Sequence, residues 1–101
     1  MVIEIDANRI DAASAVKFKD DMLNVTRDGP RRVIVNLGQV EFLDSSGLGA
    51  IVATMKALGS SRRMDLVGMR PVVEKVFRLT RMDSVFRIFP DLDSAQWSDL
   101  T

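Results

Sequence analysis

Neither cysteine nor histidine occurs in the 101 residues. Disulfide staples, thiolate nucleophiles and the usual zinc ligands go with them. Any Ser-His-Asp or Cys-His mechanism is excluded within this chain. Charge of one sign is missing too: 14 Lys and Arg balance 14 Asp and Glu. With no field of one sign over the molecule, a general role on nucleic acid or on a membrane surface has no support. No apolar run approaches the length of a membrane span, and Met1-Val2-Ile3-Glu4-Ile5-Asp6 shows no basic segment followed by a long apolar stretch. The expectation is a cytoplasmic protein of one domain, and 47% hydrophobic with 28% charged residues is ordinary for that class.

What is present alternates between two periods. Val2-Ile3-Glu4-Ile5 is short and β-rich, and Ala12 to Thr26 carries Phe18, Met22 and Val25 at helical spacing. Asp28-Gly29-Pro30 stops that helix. Arg32-Val33-Ile34-Val35-Asn36-Leu37 suits a strand covered on both faces. After a linker over 38–43, Leu48, Ile51, Val52, Met55 and Leu58 form the clearest amphipathic stripe in the chain. Met64 to Gly68 reads as a strand, Pro71 opens a helix, Val85 to Phe89 is a last strand, and Asp91 starts a terminal helix through Trp97. The order β-α-β-α-β-α-β-α predicts an α/β fold with a mostly parallel or mixed sheet of about four strands and about four helices.

The densest segment is Phe42-Leu43-Asp44-Ser45-Ser46-Gly47-Leu48-Gly49-Ala50, between the buried strand and the best helix. In a parallel sheet that is the carboxyl end of a strand, where ligands and partners dock. Asp44 and Ser45 are both good N-cap residues, so a plain capped helix start is the competing explanation. If Asp44 ends the loop, Ser45 becomes the N-cap and Ser46 lies in the first turn. Arg9-Ile10-Asp11-Ala12-Ala13-Ser14-Ala15 joins the first strand to the first helix and belongs on the same sheet edge, with Asp11 as a possible cap.

Other chemistries fail on inspection. Gly47-Leu48-Gly49 lacks the third glycine of a dinucleotide fingerprint, because Val52 stands there, and Gly-Lys-Ser/Thr is missing. No Gly-x-Ser-x-Gly elbow exists. Lys17, Lys19, Lys56 and Lys75 lie within helices as solvated groups, not as bases for a serine. The run Arg62, Arg63, Arg70, Lys75, Arg78, Arg81 and Arg87 lacks interleaved aromatics and reads as a solvated helix face. No metal site, no cofactor and no catalytic activity is expected.

At Leu43-Asp44-Ser45-Ser46-Gly47-Leu48-Gly49 the chain resembles the STAS domains, specifically the bacterial anti-sigma-factor antagonists. The likeness extends through residues 9–15, 29–37, 66–68 and 76–83, so residues 1–101 are expected to form one STAS domain. The resemblance implies a non-enzymatic partner switch. Ser45 would be the phosphoacceptor, and Asp11, Ala12, Ala13, Ser14, Asp44, Ser46, Gly47 and Leu48 would meet the partner. That partner would be an anti-sigma factor or related serine kinase of the GHKL type, with a PP2C-type phosphatase reversing the modification and the unphosphorylated form freeing the sigma factor. A STAS subunit that scaffolds a transporter or another signalling complex without phosphorylation is the alternative. By the same resemblance, the family's initial strand is expected to be missing ahead of Val2, and Asn8 and Asn36 stand where a Gly and an Asp are frequent.

Overall fold

Three consecutive β-branched residues set the centre of the fold. Val33, Ile34 and Val35 are all buried in strand β3 (Arg32–Asn36), which is flanked on one side by β1 (Val2–Glu4) and on the other by β5 (Arg63–Val67). A run of this kind satisfies a strand covered on both faces. With β6 (Arg87–Phe89) the sheet has the order β1-β3-β5-β6, and every neighbouring pair is parallel. The computed structural model describes residues 1–98.

Helices α1 (Ala15–Thr26), α2 (Ser45–Leu58) and α3 (Pro71–Leu79) are the crossovers, and α4 (Leu92–Ser98) follows the last strand. Val33, Val35, Met64 and Leu66 share one buried cluster with Met22, Leu48, Ile51, Leu58, Val73 and Phe77, so α1, α2 and α3 cover one face of the sheet. Ile34 and Val67 point the other way and pack on Ala95 of α4. That second face also holds Asp65, fully buried, with Arg32 Nε at 2.7 Å from Oδ2. Arg32 Nη2 donates to Ala95 O at 2.8 Å, which ties α4 to the sheet.

The four main strands and four helices match the expected order, with several differences. Arg9–Ile10 (β2) and Phe42–Leu43 (β4) pair in parallel as a separate two-stranded ladder, within what reads in sequence as linker. Two residues are too few to leave a periodic signature. Helix α1 starts at Ala15 instead of Ala12, because Asp11 closes a turn first: its Oδ1 accepts from Ala13 N (3.1 Å) and Ser14 N (3.2 Å). Ser14, not Asp11, is the residue half inside the helix. Val25 is 53% exposed and lies outside the core that Met22 joins. The last strand begins at Arg87, after a 3₁₀ turn (Met82–Ser84) entered through Arg81 in the left-handed region (φ 60°). The basic run is not one helix face: Lys75 and Arg78 lie on α3, whereas Arg63 and Arg87 begin strands. No helix among the described residues is long and apolar enough to cross a membrane.

Candidate functional site

The short β2–β4 ladder holds two loops together just past the carboxyl ends of β1 and β3. Glu41 N and Phe42 N both donate to Asn8 O (2.7 and 3.2 Å), and Asp44 N reaches Ile10 O at 3.4 Å. Asn8 has no positive φ, so the conformation reserved for glycine is not needed there. Asn36 Oδ1 accepts from Gly38 N at 2.9 Å, a role an aspartate carboxylate fills equally well.

Asp44 is the joint of the site. It is the N-cap of α2, with Oδ1 accepting from Gly47 N at 2.9 Å. Its other oxygen, Oδ2, accepts from Ala12 N at 3.1 Å, 32 residues away. One carboxylate thus caps the helix and fixes the 11–14 turn beside it. The proximity of these two loops, expected from topology, is therefore present. The expected cap at Ser45 is not: Asp44 takes that position, which moves Ser45 and Ser46 one step into the helix.

Gly47 explains how closely the pieces approach. A Cβ there would lie 2.1 Å from Ile10 O and 2.8 Å from Leu43 Cδ1, so only a glycine lets the first turn of α2 sit on the ladder. Gly47 is buried and Leu48 is 8% exposed within the core cluster. Of the residues expected at a docking surface, these two serve the interior. Ala12, Ala13, Ser45 and Ser46 are exposed, and Asp11, Ser14 and Asp44 are half-buried.

Both serine hydroxyls are free of hydrogen bonds within the described residues. At the first two positions of a helix, the N–H groups of Ser45 and Ser46 have no intrahelical acceptor, so the site presents donors and a positive dipole end. Asp11 supplies the opposite sign nearby. The Arg9 guanidinium, hydrogen bonded to Asp11 Oδ2 at 3.1 Å, and then hydrogen bonds from Ser14 hold its carboxyl below the ordinary aspartate range. Arg9 also lies 4.5 Å above the ring of Phe42. On the other side of Ser45, a shallow groove of about 320 Å³ runs along Leu48, Val52 and Lys56 to Thr80 and Met82. Sequence reasoning missed Thr80 and Met82, because nothing in their local pattern places them opposite α2.

The STAS domain profile matches residues 1–95. The chain belongs to the STAS-domain family. It is 31% identical over 86 residues to the anti-sigma-F factor antagonist RsfB of Mycobacterium tuberculosis, covering 85% of this chain and 70% of that protein. The anti-sigma-B factor antagonist of Staphylococcus aureus is 26% identical over 80 residues, 78% of this chain and 74% of the relative. A crystal structure of an anti-sigma factor antagonist from Mycobacterium paratuberculosis superposes with a TM-score of 0.85 at 30% identity, over 96% of this chain and 82% of that one. These relatives carry the names of regulatory proteins, and none of the names describes a catalyst.

Proposed function

We propose that this STAS domain is an anti-sigma-factor antagonist that works as a phosphorylation-dependent partner switch, with Ser45 as the phosphoacceptor. The observation that carries the reading is the pairing of an exposed, unbonded Ser45 hydroxyl with a rigid support. Asp44 and Gly47 hold the helix start against the 11–14 turn, so the serine stands on a shelf and not on a loose loop. Exposed Ala12 and Ala13 extend that shelf as small, flat surface. The names of the curated relatives support the antagonist role.

The switch follows from charge. Phosphate on Ser45 adds about −1.5 to −2 charges at neutral pH. The helix end tolerates it, since free N–H groups and the dipole favour an anion. The docking face does not, because Asp44 is adjacent and Asp11 is already ionised against Arg9. A protein surface packed there would meet a bulky dianion beside two carboxylates. A loss of about 3 kcal/mol weakens binding by more than a hundredfold, enough for a switch.

The partner in this reading is an anti-sigma factor or related serine kinase of the GHKL type, and a PP2C-type phosphatase resets the serine. No cofactor and no catalytic activity of the chain's own are involved, and the reactions take place in the cytoplasm. The test is affinity for the cognate anti-sigma factor. Ser45→Ala should bind as tightly as the unmodified chain and stay bound in the presence of nucleotide, whereas Ser45→Asp should bind at least about a hundredfold more weakly. Equal affinity of the two variants refutes the switch.

A further inference from the structure

The balanced net charge of the chain conceals a strongly one-signed patch at the end of the sheet opposite Ser45. Segments 27–32 and 60–65 together contain five arginines and two aspartates. Arg32 and Arg63 are register partners on neighbouring strands, and Arg63 N donates to Arg31 O at 2.8 Å. The dipeptides Arg31-Arg32 and Arg62-Arg63 therefore enter the sheet side by side, separated by one strand spacing of about 4.8 Å. Together with Ser60 they line a hollow of about 500 Å³. A second hollow of about 450 Å³ shares Ser60, Arg62 and Arg63 and adds Lys56 and Arg87.

Folding accounts for part of this set. Asp65 is buried against Arg32 and Arg63, at 2.7 and 3.4 Å. Arg62 donates through Nε to Pro30 O (3.0 Å) and through Nη1 to Thr26 O (2.8 Å), which satisfies carbonyls at the end of α1 and in the loop that follows it. These bonds fix the guanidinium without neutralising it, and its Nη2 is buried with no acceptor among the described residues. Arg31 is exposed and makes no side-chain bond to any described residue. Neither Arg31, Arg62 nor Lys56 has a carboxylate partner among the described residues. Buried Asp65 thus explains why Arg32 and Arg63 meet across the strands, whereas Arg31, Arg62 and Lys56 bring positive charge to the same place with no such carboxylate.

We propose that the hollow binds a small multivalent anion built of linked phosphate groups, a diphosphate or triphosphate. Guanidinium forks match phosphate oxygens in pairs, and Arg31 leaves its fork open, while Arg62, held by backbone carbonyls, contributes a charge fixed in place. A single monovalent anion would offset the charge of Arg31 or of Arg62 but not of both. A phosphate chain reaches from Arg31 toward Arg62 across the hollow and leaves the Ser60 hydroxyl as a further donor. The volume falls within the range of about 300–1,000 Å³ usual for small-molecule sites. The site stands on the amino-terminal ends of β3 and β5, away from Ser45, and does not depend on the partner-switch reading.

Calorimetric titration of the purified chain with inorganic pyrophosphate, tripolyphosphate, orthophosphate and ADP tests this. Pyrophosphate and tripolyphosphate should bind saturably and at least about tenfold more tightly than orthophosphate, and more weakly as salt is raised. Amide shifts on binding should centre on residues 31, 32 and 60–63. ADP binding as tightly as pyrophosphate marks a free phosphate chain as the ligand, and tighter binding marks a nucleotide; both support the site. Arg31→Gln, which breaks no bond of the folded chain, should lose about tenfold in affinity, while Arg81→Gln at the far end of α3 should lose nothing. Arg62→Gln also removes the Thr26 and Pro30 bonds, so Arg31→Gln decides the matter. No saturable binding at millimolar pyrophosphate, or full affinity in Arg31→Gln, overturns the proposal. So does heparin binding without pyrophosphate binding, which indicates a macromolecular polyanion instead.

Discussion

Two glycines in helix α2, two residues apart, should respond to the same substitution with opposite signs. At Gly47 a new Cβ meets Ile10 O at 2.1 Å and Ile10 C at 2.8 Å. Neither atom belongs to a flexible side chain. Ile10 is paired with Leu43 and its carbonyl faces Asp44 N, so the ladder and the helix must separate to make room. Overpacking of well-packed interiors destabilises by about 1–3 kcal/mol, and a backbone obstacle puts Gly47→Ala at the upper end. Alanine returns about 1 kcal/mol of helix propensity, leaving a net loss of about 2 kcal/mol. At Gly49 nothing lies within 4 Å of the corresponding position. Gly49→Ala should therefore gain about 0.5–1 kcal/mol. In a domain of this size 1 kcal/mol moves the melting midpoint by about 4–8 °C, so the two variants should melt more than about 10 °C apart on opposite sides of the parent. Urea unfolding followed by circular dichroism, with a common slope, gives the free energies directly. A Gly47→Ala chain as stable as the parent would show that α2 does not rest on the Ile10 carbonyl, and the support inferred for Ser45 would go with it.

Asp44→Ala removes a helix cap and the Ala12 N–H bond at once, worth about 1 kcal/mol each, and should lower unfolding free energy by about 2 kcal/mol. Asp44→Asn should recover about half, because its carbonyl can cap Gly47 while its amide faces the Ala12 donor; an unchanged midpoint in the alanine variant refutes the joint. The depressed carboxyl of Asp11 contributes stability that is fully present above the ordinary aspartate range and is lost as pH falls through its lower folded value. Carboxyl-carbon NMR titration should find its midpoint moving up in Arg9→Gln, since the Arg9 hydrogen bond is the largest cause of the depression; no movement assigns the shift elsewhere.

The parts of this fold legible in sequence are those whose signal spans several residues. Val33-Ile34-Val35 announces the central strand, the stripe from Leu48 to Leu58 announces α2, and Pro71 does open α3. Two-residue strands carry no such period, so the β2–β4 ladder is invisible until its partners are in place. The start of α1 differs from the sequence expectation because Asp11 bonds to Ala13 and Ser14 in a turn, which resembles a cap in composition but precedes the helix. The site follows the same division. That residues 11–14 lie beside 44–48 follows from parallel topology alone. That Leu48 packs inward also stood in the sequence, since it is the first member of the apolar stripe. The gathering of Arg31, Arg32, Arg62 and Arg63 had no local signal, because only the register of β3 against β5 brings the two pairs together.

The choice between the two serines has to be argued again once Asp44 is the cap. Ser45 and Ser46 occupy the first two helical positions, both exposed, and both with free backbone donors beside them, so capping geometry no longer separates them. Their directions do. Successive helical residues diverge by about 100°, and Ser45 shares its side of α2 with Leu48, Val52 and Lys56 along the groove that ends at Thr80 and Met82, whereas Ser46 does not border it. An enzyme that phosphorylates a helix-start serine must grip the surface around it while the hydroxyl is presented for transfer, and the groove offers such a surface only beside Ser45. A phosphate on Ser45 would border the groove, so the modification would alter the face a partner would hold while leaving the helix in place. Mass spectrometry after treatment with the cognate kinase should localise a single phosphate on Ser45. A phosphate on Ser46 with Ser45 unmodified would mean that the groove plays no part in presentation, and that the switch acts through the 11–14 turn alone.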